Sequence, residues 1–424
     1  MADERTAIQA GRLVDVEAGE VRRDQTILIR GERIEAVLPA GEATPGDARS
    51  IDLSDATVTP GLIDLHTHLI GGDDEGHGYA VLLQRSGAQE ALTGVGNARE
   101  TLLAGFTSVR DVGTFRAFVD VALREAIDAG ICVGPRMACS GAYVTSSTGG
   151  GDITGLTPDV EVPRELRFGV ANSVDEVRQR VREIIHGGAD LIKVIATGAV
   201  MTEGTIPGAP EFSESELRAA VEEAALNERY VAAHAHGAAG IASAVRAGVR
   251  SIEHGSLMDD EAIELMAERG TFLVADIYNG DWIEEEGRRR GWSAEVLRKN
   301  EETTDAQREG FRKAVKAGVR IGYGTDSGIY PHGRNAKQLA YMVRYGMTPI
   351  QAIQSATIVA AECMGWNDRL GSIAPGKLAD IIAAPGDATD ELEPFERVSF
   401  VMKGGEVAKG PADPEAIVNR VDEA

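Results

Sequence analysis

Cysteine is almost missing from this chain: Cys132, Cys139 and Cys363 are the only three in 424 residues. An odd number without a CxxC pair implies no disulfide framework. Long apolar runs are missing as well, since none approaches the roughly 20 residues that cross a bilayer. The N-terminal MADERTAIQAGRLVDVEAGE carries early acids in place of the basic start and apolar stretch of a secretory signal. A soluble, cytoplasmic protein with no membrane partner is expected. Basic residues are in deficit, 43 Lys and Arg against 67 Asp and Glu, giving a formal charge of −24 and a pI near 4.8. The mean field therefore repels nucleic acid and anionic lipid, whose binding needs basic patches. Strong acidity with few lysines also fits adaptation to salt. Lysine is so scarce that Lys193 is the only one before Lys299.

What is present shows a pattern of organisation. At the N-terminal end Ala7 to Leu13, Thr26 to Ile29 and Arg33 to Val37 read as short strands split by Gly-Glu and Gly-Arg pairs. Beyond Leu370 the same texture returns in GSIAPGKLADIIAAPG and VSFVMKGGEVAKG. Residues 1–59 and 368–424 are therefore expected to form one small β-sandwich domain from both chain ends. Residues 60–367 instead repeat an amphipathic helix, a small residue plus glycine, and a short β run. ETLLAGFTSVRDVG, REAIDAGICVGPRMACSG, IIHGGADLIKVIATG, AVRAGVRSIEHG, LMAERGTFLVADI and AVKAGVRIGYGTD all follow it. Helices that stop at glycine and feed apolar strands are the alternation of a parallel α/β fold. With DLHTH and VAAHAH the count reaches about eight strands, which favours a closed (β/α)8 TIM-type barrel over an open sheet. Gly280 to Glu309, dense in acids and arginines, is an insertion placed to cap the barrel mouth.

Chemistry in such a barrel comes from the strand ends. The first strand closes on His66-Thr67-His68, whose imidazoles face one side because alternate strand residues share a face. VAAHAHG contributes His234 and His236, and SIEHG contributes His254, so five of the chain's eight histidines sit at predicted strand ends. RIGYGTDSG ends in Asp326, a carboxylate after an apolar run, where an unpaired charge is costly to bury; a helix cap is the plainer explanation. Lys193 lies in the remaining strand, ADLIKVIATG. A neutral lysine amine can take up carbon dioxide to form a carbamate able to bridge two metals; a rim lysine paired with an acid is the alternative. Near the mouth Tyr143, Tyr278, Tyr330, His332 and Arg334 are candidates to bind a substrate carboxylate, His332 first among them, with a structural turn at PHG as the equal alternative. Arg110, beside Asp111, is a further candidate, for which an internal Arg/Asp ion pair is the favoured reading.

The segments TVTPGLIDLHTHL, GFTSVRDVG, LIKVIATG, VAAHAHGAAGIASAVRAGVRSIEHG, IGYGTDSGIYPHG, MTPIQAIQSATIVAAECMG and GSIAPGKLADIIA together resemble the amidohydrolase superfamily, in its usual order and over nearly the whole chain. Within it, LIKVIATG, APEFSESEL and HAHG look like the branch of Xaa-Pro dipeptidases (prolidases), N-acyl-amino-acid hydrolases and ochratoxinase-like enzymes. The resemblance implies two divalent metal ions, usually zinc. One is held by His66, His68 and Asp326, the other by His234 and His254, and N6-carboxylated Lys193 bridges them. His236 matches a position where this branch carries His or Tyr facing the substrate. The chain departs from the branch at Thr148-Gly149-Gly150-Gly151-Asp152, where TGGHGD is common and the histidine is absent here.

The implied function is hydrolysis of the amide bond of a dipeptide, Xaa-Pro or similar, or of an N-acyl-amino acid, by a hydroxide bridging the metals. Asp326 would carry its proton to the leaving nitrogen, and His236 would stabilise the oxyanion. A cyclic amide, a carbamate or urea, or an ochratoxin-like amide xenobiotic is the second enzymatic expectation. An inactive oligomeric scaffold is the third; the intact ligand set argues against it. A homo-oligomer is expected in each case.

Overall fold

The computed structural model describes residues 5–39, 41–42, 45–71, 79–157 and 159–410. Strands β1 (Arg5–Asp15), β2 (Glu20–Arg30), β3 (Arg33–Pro39) and β4 (Arg49–Pro60) open the chain. The barrel strands follow: β5 (Leu62–Thr67), β6 (Phe106–Asp111), β7 (Arg136–Cys139), β8 (Tyr143–Val144), β9 (Ile192–Ile195), β10 (Val231–Gly237), β11 (Ser251–Leu257), β12 (Phe272–Ala275) and β13 (Arg320–Tyr323). Strands β14 (Ile381–Pro385), β15 (Phe400–Lys403) and β16 (Glu406–Lys409) return the chain to its start.

Both ends share one seven-stranded sheet, ordered β16-β15-β14-β4-β1-β2-β3. It is mixed, because β4 runs parallel to β1 but antiparallel to β14. Ile8, Ile27, Val58, Ile381 and Phe400 fill its own apolar core. Two local features differ from the sequence expectation. β4 is not among the expected strands, because Asp52, Ser54 and Asp55 dilute its apolar pattern. The Gly11-Arg12 pair makes no turn: it sits inside β1 at a register shift, where the Ser54 carbonyl comes so close that no Cβ fits on Gly11.

The other strands close into a barrel of eight parallel positions, with the third supplied by β7 and β8 in succession. Strands β5-β6-β7 pair in one run and β8 through β13 in another. The seams are hydrogen bonds. Asp326 N–H donates to the His66 carbonyl (2.8 Å) and His68 N–H to the Ser327 carbonyl (2.8 Å), joining the β13 end to β5. Asp190 N–H donates to the Cys139 carbonyl (2.7 Å) on the far side. The outer helices begin at polar caps such as Ser213 and Asp259 and stop at left-handed glycines such as Gly248 and Gly270. Between β12 and β13 the expected insertion forms helix Asn279–Arg290 and the long helix Ala294–Lys316, both of which reach the barrel mouth. No described helix is long and apolar enough to cross a membrane.

Candidate active site

The carboxyl ends of the strands open into a cavity of about 340 Å³ whose wall includes His66, His68, Lys193, His234, His236, His254 and Asp326. The imidazoles interlock: ring centroids of His66 and His254 are 4.8 Å apart, His234 and His254 4.6 Å, and His66 and His68 5.3 Å. Asp326 Oδ1 lies 3.4 Å from His66 Nε2 and 3.2 Å from His68 Nε2. Local backbone is bent to achieve this. His254 (φ 68) and Asp326 (φ 57) occupy the left-handed region, which costs a non-glycine residue about 1–3 kcal/mol and persists where surrounding structure enforces it. Glu253 already faces the barrel interior, so this turn lets the next residue, His254, face inward as well.

Each histidine is fixed by one ring nitrogen, which frees the other. His66 Nδ1 meets Glu253 (2.9 Å), His68 Nδ1 donates to the Gly113 carbonyl (2.8 Å), and His254 Nδ1 meets Asp276 (3.0 Å). Each of these turns Nε2 toward the cavity, where Asp326 Oδ1 approaches those of His66 and His68. His234 is reversed, with Nε2 on the Gly198 carbonyl (3.2 Å) and Nδ1 left over. Such orienting bonds set the tautomer that a metal-binding imidazole needs. Gly113 is at φ 119 and packs so tightly on Tyr143 that a Cβ would clash, which lets its carbonyl reach His68.

The electrostatics fit a cation site. Burial, with Lys193 and the neighbouring imidazoles, drives His66 well below the usual histidine range, and burial with His236 and His254 does the same to His234. Both are neutral donors of a lone pair. His68 is also pulled down by burial, but its hydrogen bond to Asp326 carries it above its ordinary value; Asp276 does the same for His254. Burial lowers Lys193 to about 8, and no carboxylate pairs with its ammonium among the described residues. A buried amine that forms no ion pair among the described residues, beside neutral imidazoles and the Asp326 carboxylate, is a donor set suited to divalent metal. Two triads of ligand atoms lie within 4.8 Å of one another: His66, His68 and Asp326, and His254, Asp276 and Asp326. Both oxygens of Asp276 are engaged, Oδ1 by His254 Nδ1 and Gln307 (2.8 Å) and Oδ2 by Asn279 (3.2 Å). We therefore assign Asp276 to orienting His254.

The substrate-contact candidates separate. Tyr143 is on the cavity wall, its hydroxyl donating to the Gly113 carbonyl (3.0 Å) and 3.2 Å from His68 Nδ1. Arg110 is fully buried beneath the cavity. It pairs with Glu253 (2.7 Å) and donates to the Leu65 carbonyl (2.6 Å), with Asp111 turned to Leu69 N–H. Its charge is thus consumed internally, by an acid other than its neighbour. Tyr278 and Tyr330 meet edge to face with centroids 5.2 Å apart, Arg334 lies over Trp282, and His332 Nε2 meets the His68 carbonyl (3.2 Å). None of these four reaches the cavity wall. Sequence reasoning missed Glu253, Asp276, Asn279 and Gln307. A signal existed for Glu253 and Asp276 alone, as acids within otherwise apolar strand ends.

An eight-stranded α/β barrel whose mouth gathers oriented histidines, a lysine and a carboxylate is a barrel with a site that could hold a metal ion. The Amidohydrolase family model matches residues 57–409, and the chain belongs to that family. An ochratoxinase of Aspergillus niger is 35% identical, over 96% of this chain and 87% of its own. A Xaa-Pro dipeptidase crystallised with methionine in its active site superposes with a TM-score of 0.89 at 37% identity, covering 96% of this chain and 100% of that one. A prolidase in complex with N-methylphosphonate-L-proline superposes with a TM-score of 0.88 at 32% identity, over the same shares.

Proposed function

We propose that the protein is a binuclear metal-dependent hydrolase of the amide bond in a dipeptide or N-acyl-amino acid. The observation that carries this is the convergence of His66, His68, His234, His254 and Asp326 with the buried Lys193 on the wall of one cavity. The names of the similar proteins, a Xaa-Pro dipeptidase and a prolidase, support the substrate class. His66 Nε2, His68 Nε2 and Asp326 would hold one ion, and His234 Nδ1 and His254 Nε2 the other. Lys193, carboxylated on Nζ, would lie between them. Divalent ions bound there supply Lewis acidity and lower the pKa of water from 15.7 toward about 7.

The chain's own groups do the rest. Asp326 Oδ2 is held by Asn279 (3.0 Å), which positions the carboxylate to take the proton of attacking water and deliver it to the leaving nitrogen. Burial, with His254, lowers His236 to about 3, so its ring is neutral. Ser256 Oγ meets its Nδ1 at 2.8 Å, and the hydroxyl donating there leaves Nε2–H to stabilise the carbonyl oxygen as it gains charge. The helices Asn279–Arg290 and Ala294–Lys316 contribute Ile283, Thr303 and Gln307 to the wall. Zinc-loaded enzyme should release free amino acid from a panel of dipeptides and N-acyl-amino acids. Silence across the panel at full metal occupancy would reject the substrate class.

A further inference from the structure

We propose that Arg85 binds the carboxylate of the amino-acid half of the substrate; this rests on the amide-hydrolase reading above and narrows it to amides with a free acid. On the cavity wall the described cations are Lys193 and Arg85. Lys193 is taken into the histidine cluster, which leaves Arg85. In a chain of net charge −24 an anionic substrate meets a repelling mean field, so a local cation is what such a substrate requires.

The surroundings of Arg85 fix its backbone and leave its guanidinium outside any ion pair among the described residues. Arg116 donates to the Arg85 carbonyl (2.9 Å) and the Leu82 carbonyl (3.1 Å), fixing the backbone of the segment that carries it. Arg116 is itself neutralised by Glu90 (2.9 Å) and Glu165 (2.5 Å). No carboxylate pairs with the Arg85 guanidinium among the described residues. Glu90, on the same wall and 2% exposed, keeps Oε1 without a hydrogen-bond partner. Arg85 acts electrostatically on Glu90 but forms no ion pair with it or with any other described residue, so its guanidinium donors and the free Glu90 oxygen both stay open to a partly charged ligand. Gly150 and Gly151, also on the wall, bring no side chain that could compete for a carboxylate. A planar guanidinium takes a carboxylate through two parallel hydrogen bonds, which gives orientation as well as affinity.

The test uses N-acetyl-L-phenylalanine, its carboxamide, and N-phenethylsuccinamic acid, which carries the acid on the acyl half. The zinc enzyme should prefer N-acetyl-L-phenylalanine. In Arg85→Ala its KM should rise about 10- to 100-fold with kcat nearly kept, while turnover of the carboxamide stays unchanged. Arg85→Lys should recover part of the loss. An unchanged KM in Arg85→Ala, equal loss on acid and carboxamide, or a preference for the succinamic acid overturns the proposal. If none of the three is hydrolysed, the amide reading fails, and calorimetric binding of L-phenylalanine against L-phenylalaninamide still decides Arg85. At least tenfold weaker binding of the acid in Arg85→Ala sustains it, and equal binding to both proteins ends it.

Discussion

Two layers of the barrel bury charge within one side chain's length of each other, and they treat it in opposite ways. In the lower layer Arg110 is enclosed by Glu253, Ser251 and the Leu65 carbonyl, so the positive charge is answered in full. In the upper layer Lys193 faces imidazoles and forms no ion pair with a carboxylate among the described residues, and His254 and Asp326 sit on strained backbone. Glu253 links the two, holding Arg110 with one oxygen and His66 with the other. Buried charge that is matched holds a fold together, whereas buried charge left unmatched marks the place where a ligand belongs.

The contrast can be broken most severely from above. Lys193→Ala and His66→Ala should each lower amide turnover by at least about 10³-fold and reduce bound zinc, with the melting temperature little changed. Elemental analysis beside calorimetry checks both halves. From below, Arg110→Met leaves Glu253 buried without its partner and should cost about 3–5 kcal/mol of stability, read by denaturant unfolding. A variant as stable as the parent would mean the two layers do not differ as described. Asn279→Ala sharpens the border between them. It strips a donor from Asp326 and Asp276 and should lower metal affinity or kcat by about 10- to 100-fold without unfolding.

The smallest effect concerns Glu211, which accepts from Gly150 N–H (2.9 and 3.0 Å). Burial raises it from 4.5 to about 7. Its folded pKa exceeds the unfolded value, so the folded state binds the extra proton and loses stability as pH rises from about 4.5 to 7. Glu211→Gln should remove about 2 kcal/mol of that pH dependence, measured by unfolding at pH 5 and pH 8.

Much of this arrangement is readable in the sequence because strand ends carry a two-residue period. His66 with His68 and His234 with His236 announce themselves as pairs, and Lys193 stands out in a chain that otherwise uses arginine up to residue 298. The alternation of helix, glycine and apolar strand exposes the barrel for the same reason. What stays hidden depends on distance along the chain. Glu253 meets Arg110 across 143 residues, and Gln307 meets Asp276 across 31, from an insertion whose composition shows only a polar helix. Arg110 looks like a mouth residue because it ends an apolar strand, but its side chain points down into the barrel. Arg85 belongs to no motif, and only the cavity wall singles it out. In β4, Asp52, Ser54 and Asp55 hide a strand that its neighbours β1 and β14 define by pairing.

Diffraction from crystals grown with zinc and bicarbonate, recorded at the zinc edge, addresses the metal centre most directly. Two anomalous peaks are expected, one among His66, His68 and Asp326 and one beside His234 and His254, with the Lys193 side chain extended by a carboxyl group between them. A bare Lys193 ammonium, or zinc bound only outside this cavity, would contradict the reading.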